Sequence, residues 1–346
     1  MTIAHINRIG TAVPANEVHE LFVGWASGRI TDPHEAALFK RMAARSGIRK
    51  RWSVLSGPRA GRPIGDFYSD GMPSTAARMA VYANEAPKLA LEAISNLGPV
   101  GPVSHLIVAS CTGFVAPGID QIIAGALGLP GSVERTLVGF MGCYAAVAAL
   151  RVAHHVVRSE PTARVLLVTV ELSSLHLQGT AEVDRLLAML QFGDGAAAAI
   201  VSAESQGLAI DHFFAETLPE SEDLIRWTIG DEGFAMHLAG AVPLRIAEAL
   251  SDEAVRQRIL PATPVDGWAV HAGGRSVLDA VERALELPED ALAPSRSVLD
   301  AFGNMSSATL MFVLAGFLND APVDNGLAIA FGPGLAAEGF GFRTVR

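Results

Sequence analysis

The chain passes through Arg135-Thr136-Leu137-Val138-Gly139-Phe140-Met141-Gly142-Cys143-Tyr144-Ala145-Ala146, where a short apolar run meets an uninterrupted helical segment. The order of strand, glycine-rich turn, cysteine and helix start predicts a nucleophile elbow. Glycine allows the tight turn and keeps bulk away from the sulfur. A cysteine at a helix N-terminus lies beside free N–H groups and the positive end of the helix dipole, and both favour the thiolate. The alternative is a buried structural cysteine, which is common on an apolar helix.

Composition limits the class of protein. The chain has 346 residues, of which 50% are hydrophobic and 18% charged, so we expect a large buried core in two domains or one duplicated domain. A net charge of −10 argues against a nucleic-acid binder. Two cysteines, Cys111 and Cys143, make neither a disulfide framework nor a metal site, and they fit a reducing cytoplasm. No secretory signal and no apolar run of about 18 residues is present, so we expect a soluble cytoplasmic protein without a membrane span.

The order of elements predicts an internal duplication. Buried strands are predicted at 104–110, 164–170 and 196–201, and the pattern begins again after about residue 205 with strands at 267–270 and 326–331. Cys111 lies 32 residues before Cys143, and His271 lies 33 residues before Asn304. We therefore predict an α/β fold with an N-terminal half, 1–205, and a C-terminal half, 206–346. The strand ends of the two halves would converge on one crevice, where open α/β sheets bind ligands.

Three side chains at these strand ends suit acyl transfer. A thiolate nucleophile needs a partner that stabilises its charge, and the reaction needs donors for a developing oxyanion. His271 can pair with Cys143 and donate a hydrogen bond, and Asn304 offers an amide N–H without proton chemistry. The alternatives are a satisfied core histidine for His271 and a turn residue after Gly303 for Asn304.

Five short motifs, spread in order along the whole chain, carry a family resemblance. They are Gly142-Cys143-Tyr144-Ala145-Ala146, Phe192-Gly193-Asp194-Gly195-Ala196-Ala197, His271-Ala272-Gly273-Gly274, Gly303-Asn304-Met305-Ser306-Ser307-Ala308 and Phe331-Gly332-Pro333-Gly334. Together they resemble the chalcone synthase-related type III polyketide synthases, and the short chain is similar to the bacterial branch. The resemblance implies a duplicated thiolase fold in five layers, αβαβα, usually as a homodimer. It also implies no metal and no cofactor, with CoA thioesters as the substrates.

The resemblance assigns roles to individual residues. Cys143 would be the nucleophile that takes the acyl group from a starter acyl-CoA, and His271 and Asn304 would hold the oxyanion. The same two residues would hold the enolate that forms when malonyl-CoA loses CO2. Phe192 would gate the cavity and supply an apolar wall that favours loss of a carboxylate. Repeated condensation and a final cyclisation would follow.

Other residues are predicted to shape the substrate sites. Trp227 stands where the plant enzymes carry a glycine, and Met236 replaces the second phenylalanine of the family. The remaining residues assigned to the cavity are Ser173, His176, Gly332, Pro333 and Gly334. A plant-like aromatic pocket is therefore not expected, and similar bacterial runs resemble makers of alkylpyrones and alkylresorcinols from fatty acyl-CoA.

The most basic run in the chain is Arg49-Lys50-Arg51. We predict that it holds the phosphates of CoA; the alternative is a solvated turn, which is the usual fate of a charge run.

Two other functions use the same residues. An initiating ketoacyl synthase would make a single condensation with an acyl carrier protein. A catalytically silent family member would act as a binding subunit.

Overall fold

The computed structural model describes residues 2–55 and 66–346. Thirteen strands lie within these residues: β1 (His5–Ala12), β2 (Asn16–Glu17), β3 (Trp52–Ser53), β4 (His105–Ser110), β5 (Glu134–Gly139), β6 (Arg164–Leu172), β7 (Asp194–Ser202), β8 (Gly207–Thr217), β9 (Ile225–Gly230), β10 (Gly233–Leu238), β11 (Gly267–Val270), β12 (Gly326–Gly332) and β13 (Ala336–Val345). The same residues hold eleven α-helices: α1 (His19–Arg29), α2 (Pro33–Ala44), α3 (Thr75–Leu97), α4 (Ile119–Ala126), α5 (Ala145–Ser159), α6 (Val183–Gln191), α7 (Val242–Ser251), α8 (Glu253–Ile259), α9 (Arg275–Ala284), α10 (Ala293–Phe302) and α11 (Ser307–Phe317).

The main sheet repeats one strand arrangement on both sides of its centre. Nine strands pair in the order β11-β12-β13-β8-β1-β7-β6-β4-β5. Outward from β1, an antiparallel β7 is followed by β6 and β4, which are parallel to each other. Outward from β8, an antiparallel β13 is followed by β12 and β11, again a parallel pair. The predicted duplicated α/β fold is confirmed.

Alternating residues of the strands face two different helix layers. In β6, Val165 and Leu167 pack with α5 and α11, whereas Leu166 and Val168 pack with α3. In β12 the alanines face α5 and α11, and the larger apolar residues face α7, α9 and α10. The two halves of the nine-stranded sheet share the α5 and α11 layer between them, and each half has its own outer helix layer. Helix, sheet, helix, sheet and helix therefore follow one another. This is the predicted five-layer αβαβα arrangement.

The packing of the layers explains why α11 is apolar throughout and why β7 is rich in alanine. Helix α11 is apolar on all sides, and nine of its eleven residues are buried, as expected of a helix enclosed by other elements. Strand β7 carries four consecutive alanines, two facing each helix layer. These small side chains let helices approach both faces of the sheet closely.

Strand β5, the apolar run before the cysteine, is an edge strand. It pairs only with β4 in the main sheet, and within it only Val138 is buried. Leu137 is 46% exposed. The strand thus brings the chain to the elbow along the rim of the sheet. Across the described residues, no helix is long and apolar enough to cross a bilayer.

Candidate active site

Cys143 lies in a tight turn directly before α5. The turn is a single 3-10 turn, Gly142–Tyr144, and α5 begins at Ala145. Gly142 has φ +77°, and a Cβ there would stand 2.3 Å from Cδ of Pro333. A Cβ on Gly332 would stand 2.5 Å from the ring of Tyr144. Both glycines are therefore required, because the elbow and the turn after β12 press against each other.

Three residues predicted to react line one cavity of about 970 Å³. Cys143 reaches it from the start of α5, His271 from the end of β11 and Asn304 from the residues before α11. His271 is 1% exposed and Asn304 2% exposed. The fold thus brings together three polar side chains from both halves of the sheet in a largely enclosed space.

The imidazole of His271 is free to meet a ligand. Its backbone N–H donates to the carbonyl of Ile329 at 2.8 Å, which fixes the residue beside β12. Among the described residues neither Nδ1 nor Nε2 has a hydrogen-bond partner, although both are buried. Burial lowers the pKa of His271 to about 3, so the ring is neutral near pH 7. A neutral imidazole can donate from one nitrogen and accept a proton at the other.

The side chain of Asn304 is held in one orientation. Its Oδ1 accepts from the backbone N–H of Ser306 at 2.8 Å, and its Nδ2 donates to the carbonyl of Gly273 at 3.1 Å. The backbone of Asn304 bridges that of the neighbouring strand end, because its N–H donates to Gln191 and its carbonyl accepts from Gly193. The amide N–H2 is therefore fixed as a hydrogen-bond donor at the site.

The thiol of Cys143 is less acidic than the elbow predicts. Burial raises its pKa to about 12, while hydrogen bonds with the side chains of Ser306 and Asn304 act in the opposite direction. Desolvation disfavours the charged form and so acts against the helix N-terminus. The thiolate expected at the elbow stays a prediction.

Seven of the eight residues predicted to bind substrate also line the cavity. They are Ser173, His176, Phe192, Trp227, Met236, Gly332 and Pro333. Gly334 is not among the described residues that line it, because the chain turns away after Pro333.

The two large polar rings of this set are anchored to the turn after β4. Trp227 Nε1 donates to the carbonyl of Cys111 at 2.8 Å. His176 Nε2 lies 2.7 Å from the carbonyl of Thr112, and its Nδ1 accepts from the backbone N–H of Phe234 at 3.0 Å. Since Nδ1 accepts, Nε2 carries the proton and donates to Thr112. Both rings are therefore fixed against one wall of the cavity.

Comparison with known proteins gives the family. The sequence model described as "Chalcone and stilbene synthases, N-terminal domain" matches residues 2–205, and the one for the C-terminal domain of these synthases matches residues 210–346. The chain belongs to the chalcone and stilbene synthase family. It is an acyltransferase-type polyketide synthase, as the motifs indicated.

Solved structures agree with this assignment. The polyketide synthase PKS-I of the brown alga Ectocarpus siliculosus is 29% identical, with a TM-score of 0.88 over 100% of this chain and 99% of the other. The C-terminal type III polyketide synthase domain of Steely1, a type I/III hybrid from Dictyostelium, is 24% identical, with a TM-score of 0.90 over 99% of this chain and 100% of the other. The second likeness supports the fold alone.

A buried carboxylate lies beneath the site of this synthase. Glu171 is fully buried, and it accepts hydrogen bonds from the backbone N–H and the thiol of Cys111 (both 3.0 Å), from Thr112 Oγ1 (2.8 Å) and from Ser307 Oγ. Burial raises the pKa of Glu171. The sequence analysis gave Glu171 no role, although a carboxylate directly after seven mostly apolar strand residues was a signal that something polar lies there.

The basic run is separated by the fold. Arg49 and Lys50 are exposed, and Arg49 pairs with Asp300 at 2.6 Å on the surface. Arg51 is buried, with its guanidinium donating to the carbonyl of Phe192. Of the three, only Arg51 is among the described residues that line the cavity. Nη1 and Nε of Arg51 are bonded inside the protein, and Nη2 has no partner among the described residues, so burial sets Arg51 apart from the exposed Arg49 and Lys50.

Among the described residues, no group of three or more His, Cys, Asp or Glu side chains is placed to hold a metal ion.

Proposed function

We propose that this synthase loads an acyl group from a starter acyl-CoA onto Cys143 and extends it with malonyl-CoA by repeated decarboxylative condensation. The observation that carries the proposal is the buried His271 ring, with both nitrogens unpartnered among the described residues, in the same cavity as Cys143 and Asn304. A buried polar group without a partner is costly unless a ligand completes it. A thioester carbonyl supplies the missing acceptor.

The loading step uses the neutral ring. Sγ of Cys143 attacks the carbonyl carbon of the starter thioester while its proton passes to a ring nitrogen of His271, which has no other partner among the described residues. Asn304 Nδ2 donates to the developing oxyanion. The bond to the CoA sulfur then breaks, the proton goes to the leaving thiolate, and the acyl group remains on Cys143.

The extension step needs no further catalytic group. Malonyl-CoA loses CO2, and hydrogen bonds from His271 and Asn304 stabilise the enolate oxygen that this leaves. The enolate carbon attacks the acyl-cysteine, the C–S bond to Cys143 breaks, and a chain longer by two carbons remains on CoA. Phe192 lines the cavity from the strand end bridged to Asn304 and offers the leaving carboxylate no hydrogen bond. An apolar wall favours the loss of that charge.

The cavity supports long products. Its lining includes the aliphatic residues Leu21, Leu55, Leu177, Leu187 and Val242, beside charged residues such as Glu182, Asp184 and Arg185. Apolar walls of this kind suit an alkyl chain rather than a polar aromatic starter. We therefore assign alkylpyrones or alkylresorcinols as the product class, made from fatty acyl-CoA.

The phosphates of CoA need a basic site on the surface of the protein. Arg49 and Lys50, the exposed part of the basic run, would bind the phosphates of CoA. A phosphate can displace the weak surface pair between Arg49 and Asp300.

We also propose that the synthase is a cytoplasmic homodimer built from two halves of the chain. A homodimer would cover the exposed edge strand β5, where Leu137 is 46% exposed and nearby Phe114 is 44% exposed. The halves 1–205 and 206–346 are supported by the repeat of strand order on either side of the β1 and β8 pair. Two free cysteines are in keeping with a reducing cytoplasm.

The test is turnover of the purified protein with malonyl-CoA and short, long and aromatic acyl-CoAs, followed by product masses. Long acyl starters extended by two or more malonyl units are the expected products. Cys143→Ala should form no product and keep malonyl-CoA decarboxylation, because His271 and Asn304 remain. Asn304→Ala should lose decarboxylation by roughly two to three orders of magnitude, the usual worth of one oxyanion donor.

Three results would contradict the proposal. Products of one condensation, favoured by an acyl carrier protein, would indicate an initiating ketoacyl synthase. Absence of turnover with every starter would indicate a silent binding subunit. Product at the wild-type level from Cys143→Ala would move the nucleophile to Cys111.

A further inference from the structure

The guanidinium of Arg51 donates from Nη1 to two backbone carbonyls at the edge of the cavity, and its Nη2 has no partner among the described residues. The side chain is 3% exposed and stacks over the ring of Phe22 at 4.7 Å. Its Nη1 donates to the carbonyl of Phe192 at 2.7 Å and to that of Met189 at 3.2 Å, and its Nε donates to Nδ1 of His19 at 3.1 Å. One side chain thus fixes the end of α6 and the residue after it.

The aliphatic stem of Arg51 reaches the other catalytic segment. A Cβ on Gly303, which has φ +67°, would stand 2.8 Å from Cγ of Arg51. A Cβ on Gly193 would stand 3.4 Å from Cβ of Arg51. The stem therefore packs against the residues next to Asn304 and next to Phe192 at the same time.

These two segments are joined by a short backbone bridge. Asn304 N–H donates to the carbonyl of Gln191 at 2.8 Å, and Gly193 N–H donates to the carbonyl of Asn304 at 3.0 Å. The bridge consists of two hydrogen bonds and lies outside the named strands, directly before β7 begins. Arg51 covers this bridge, with its stem on one part and its guanidinium on the other.

Two carboxylates balance the buried charge. Asp194 and Glu17 both favour the charged form of Arg51, against the desolvation that lowers its pKa to about 10. Asp194 accepts from Val54 N–H at 2.9 Å and from Ser174 N–H and Oγ at 2.8 and 2.6 Å, so it also holds the neighbouring wall of the cavity. A cation kept at this cost, with Nη1 and Nε bonded to internal acceptors, has a structural task near the site.

We propose that Arg51 is a positioning residue, which holds Asn304 and Phe192 at the separation that malonyl-CoA decarboxylation requires. The inference rests on the proposed function, because it assigns Asn304 and Phe192 to that step. Arg51 itself touches neither reacting atom. A planar guanidinium can donate to two carbonyls and to His19 at once, whereas a lysine ammonium offers a single point charge.

The experiment compares Arg51→Met and Arg51→Lys with wild type. Arg258→Met is the control, since it removes the same charge from an exposed pair with Glu216. The readouts are kcat and KM for malonyl-CoA decarboxylation at low and high salt, and thermal unfolding. Displacement of a catalytic group by about 1 Å can cost on the order of 100-fold. We expect kcat of Arg51→Met to fall roughly 10- to 100-fold with KM unchanged, and Arg51→Lys to recover part of the loss.

The outcomes separate this inference from its alternatives. A raised and salt-dependent KM at wild-type kcat would make Arg51 a phosphate ligand and overturn the inference. Wild-type kcat in folded Arg51→Lys would do the same, because the fork would then be dispensable. If Arg51→Met does not fold, Arg51→Lys decides alone, and a lower kcat at unchanged KM supports positioning. A wild-type enzyme without decarboxylation overturns the proposed function and this inference together, whereas an active wild type with normal Arg51 variants overturns the inference alone.

Discussion

The acidity of the Cys143 thiol is set by opposing influences within a few ångströms. Burial and the carboxylate of Glu171 raise its pKa, and hydrogen bonds with Ser306 and Asn304 lower it. Both α5 and α11 also begin at the site, so the positive ends of two helix dipoles lie near the sulfur.

Substitution of Ser306 and Ser307 tests these influences on the pKa of Cys143 separately. Ser306→Ala removes a hydrogen bond that lowers the pKa of Cys143, so the thiolate fraction at a given pH should fall. A hydrogen bond to a charged group is worth about 1.5–3 kcal/mol, so alkylation of Cys143 by iodoacetamide at pH 8 should slow roughly tenfold. Ser307→Ala is the comparison: it removes a hydrogen bond that lowers the pKa of Glu171, so it weakens a charge that raises the pKa of Cys143 and should not slow alkylation. Peptide masses identify the alkylated cysteine, and an unchanged rate in Ser306→Ala would show that its hydroxyl does not act on Cys143.

At the scale of elements, the hydrophobic pattern predicted the strands and the helix that are buried on both faces. The buried strands β4, β6 and β7 and the helix after Cys143 were evident, because both their faces meet apolar layers. The edge position of β5 was not, because it follows from pairing with β4 alone, which the sequence does not show. Cys143, His271 and Asn304 were predicted from their motifs and from the similar spacings of 32 and 33 residues.

The sequence could not show the role of a residue whose hydrogen-bond partners lie far away along the chain. Arg51 stands in a run of three cations that looks solvated, yet its carbonyl partners lie about 140 positions further along the chain. Glu171 gave a weak signal, since a buried carboxylate is understood only when its donors from Cys111, Thr112 and Ser307 are known.

The hairpin of β9 and β10 forms one wall of the cavity and carries Trp227 opposite Met236. Trp227→Gly should enlarge the cavity and shift the product masses toward more malonyl units, or admit bulkier starters. It should also cost about 3 kcal/mol of stability, at the lower end for truncation of a large buried aromatic, because the ring is only partly buried. Trp227→Phe keeps a ring there but loses the hydrogen bond to Cys111, so its product profile should stay close to wild type. A folded, active Trp227→Gly with the wild-type product profile would show that Trp227 does not limit the chain.

On the scale of the whole molecule, the duplicated fold keeps many titratable groups away from water. The five layers bury histidines in the core of both halves, and among the described residues four have a strongly lowered pKa. Desolvation is the leading cause at His19, His154 and His176, each lowered to about 4, and at His271, lowered to about 3. Two carboxyl groups shift the other way: burial raises the pKa of Asp194 to about 6 and raises that of Glu171.

These shifts predict how stability depends on pH. As the pH falls from about 6.5 to 4, the unfolded chain binds protons at the four histidines and the folded chain does not, so the free energy of unfolding decreases. Asp194 and Glu171 oppose this, because the folded state protonates them first, but they are two groups against four. The urea midpoint should therefore fall between pH 6.5 and 4.5. His154→Gln, far from the cavity beside Phe213, should fall less steeply. A midpoint that is constant or rises over this interval would show that the buried histidines accept protons in the folded state.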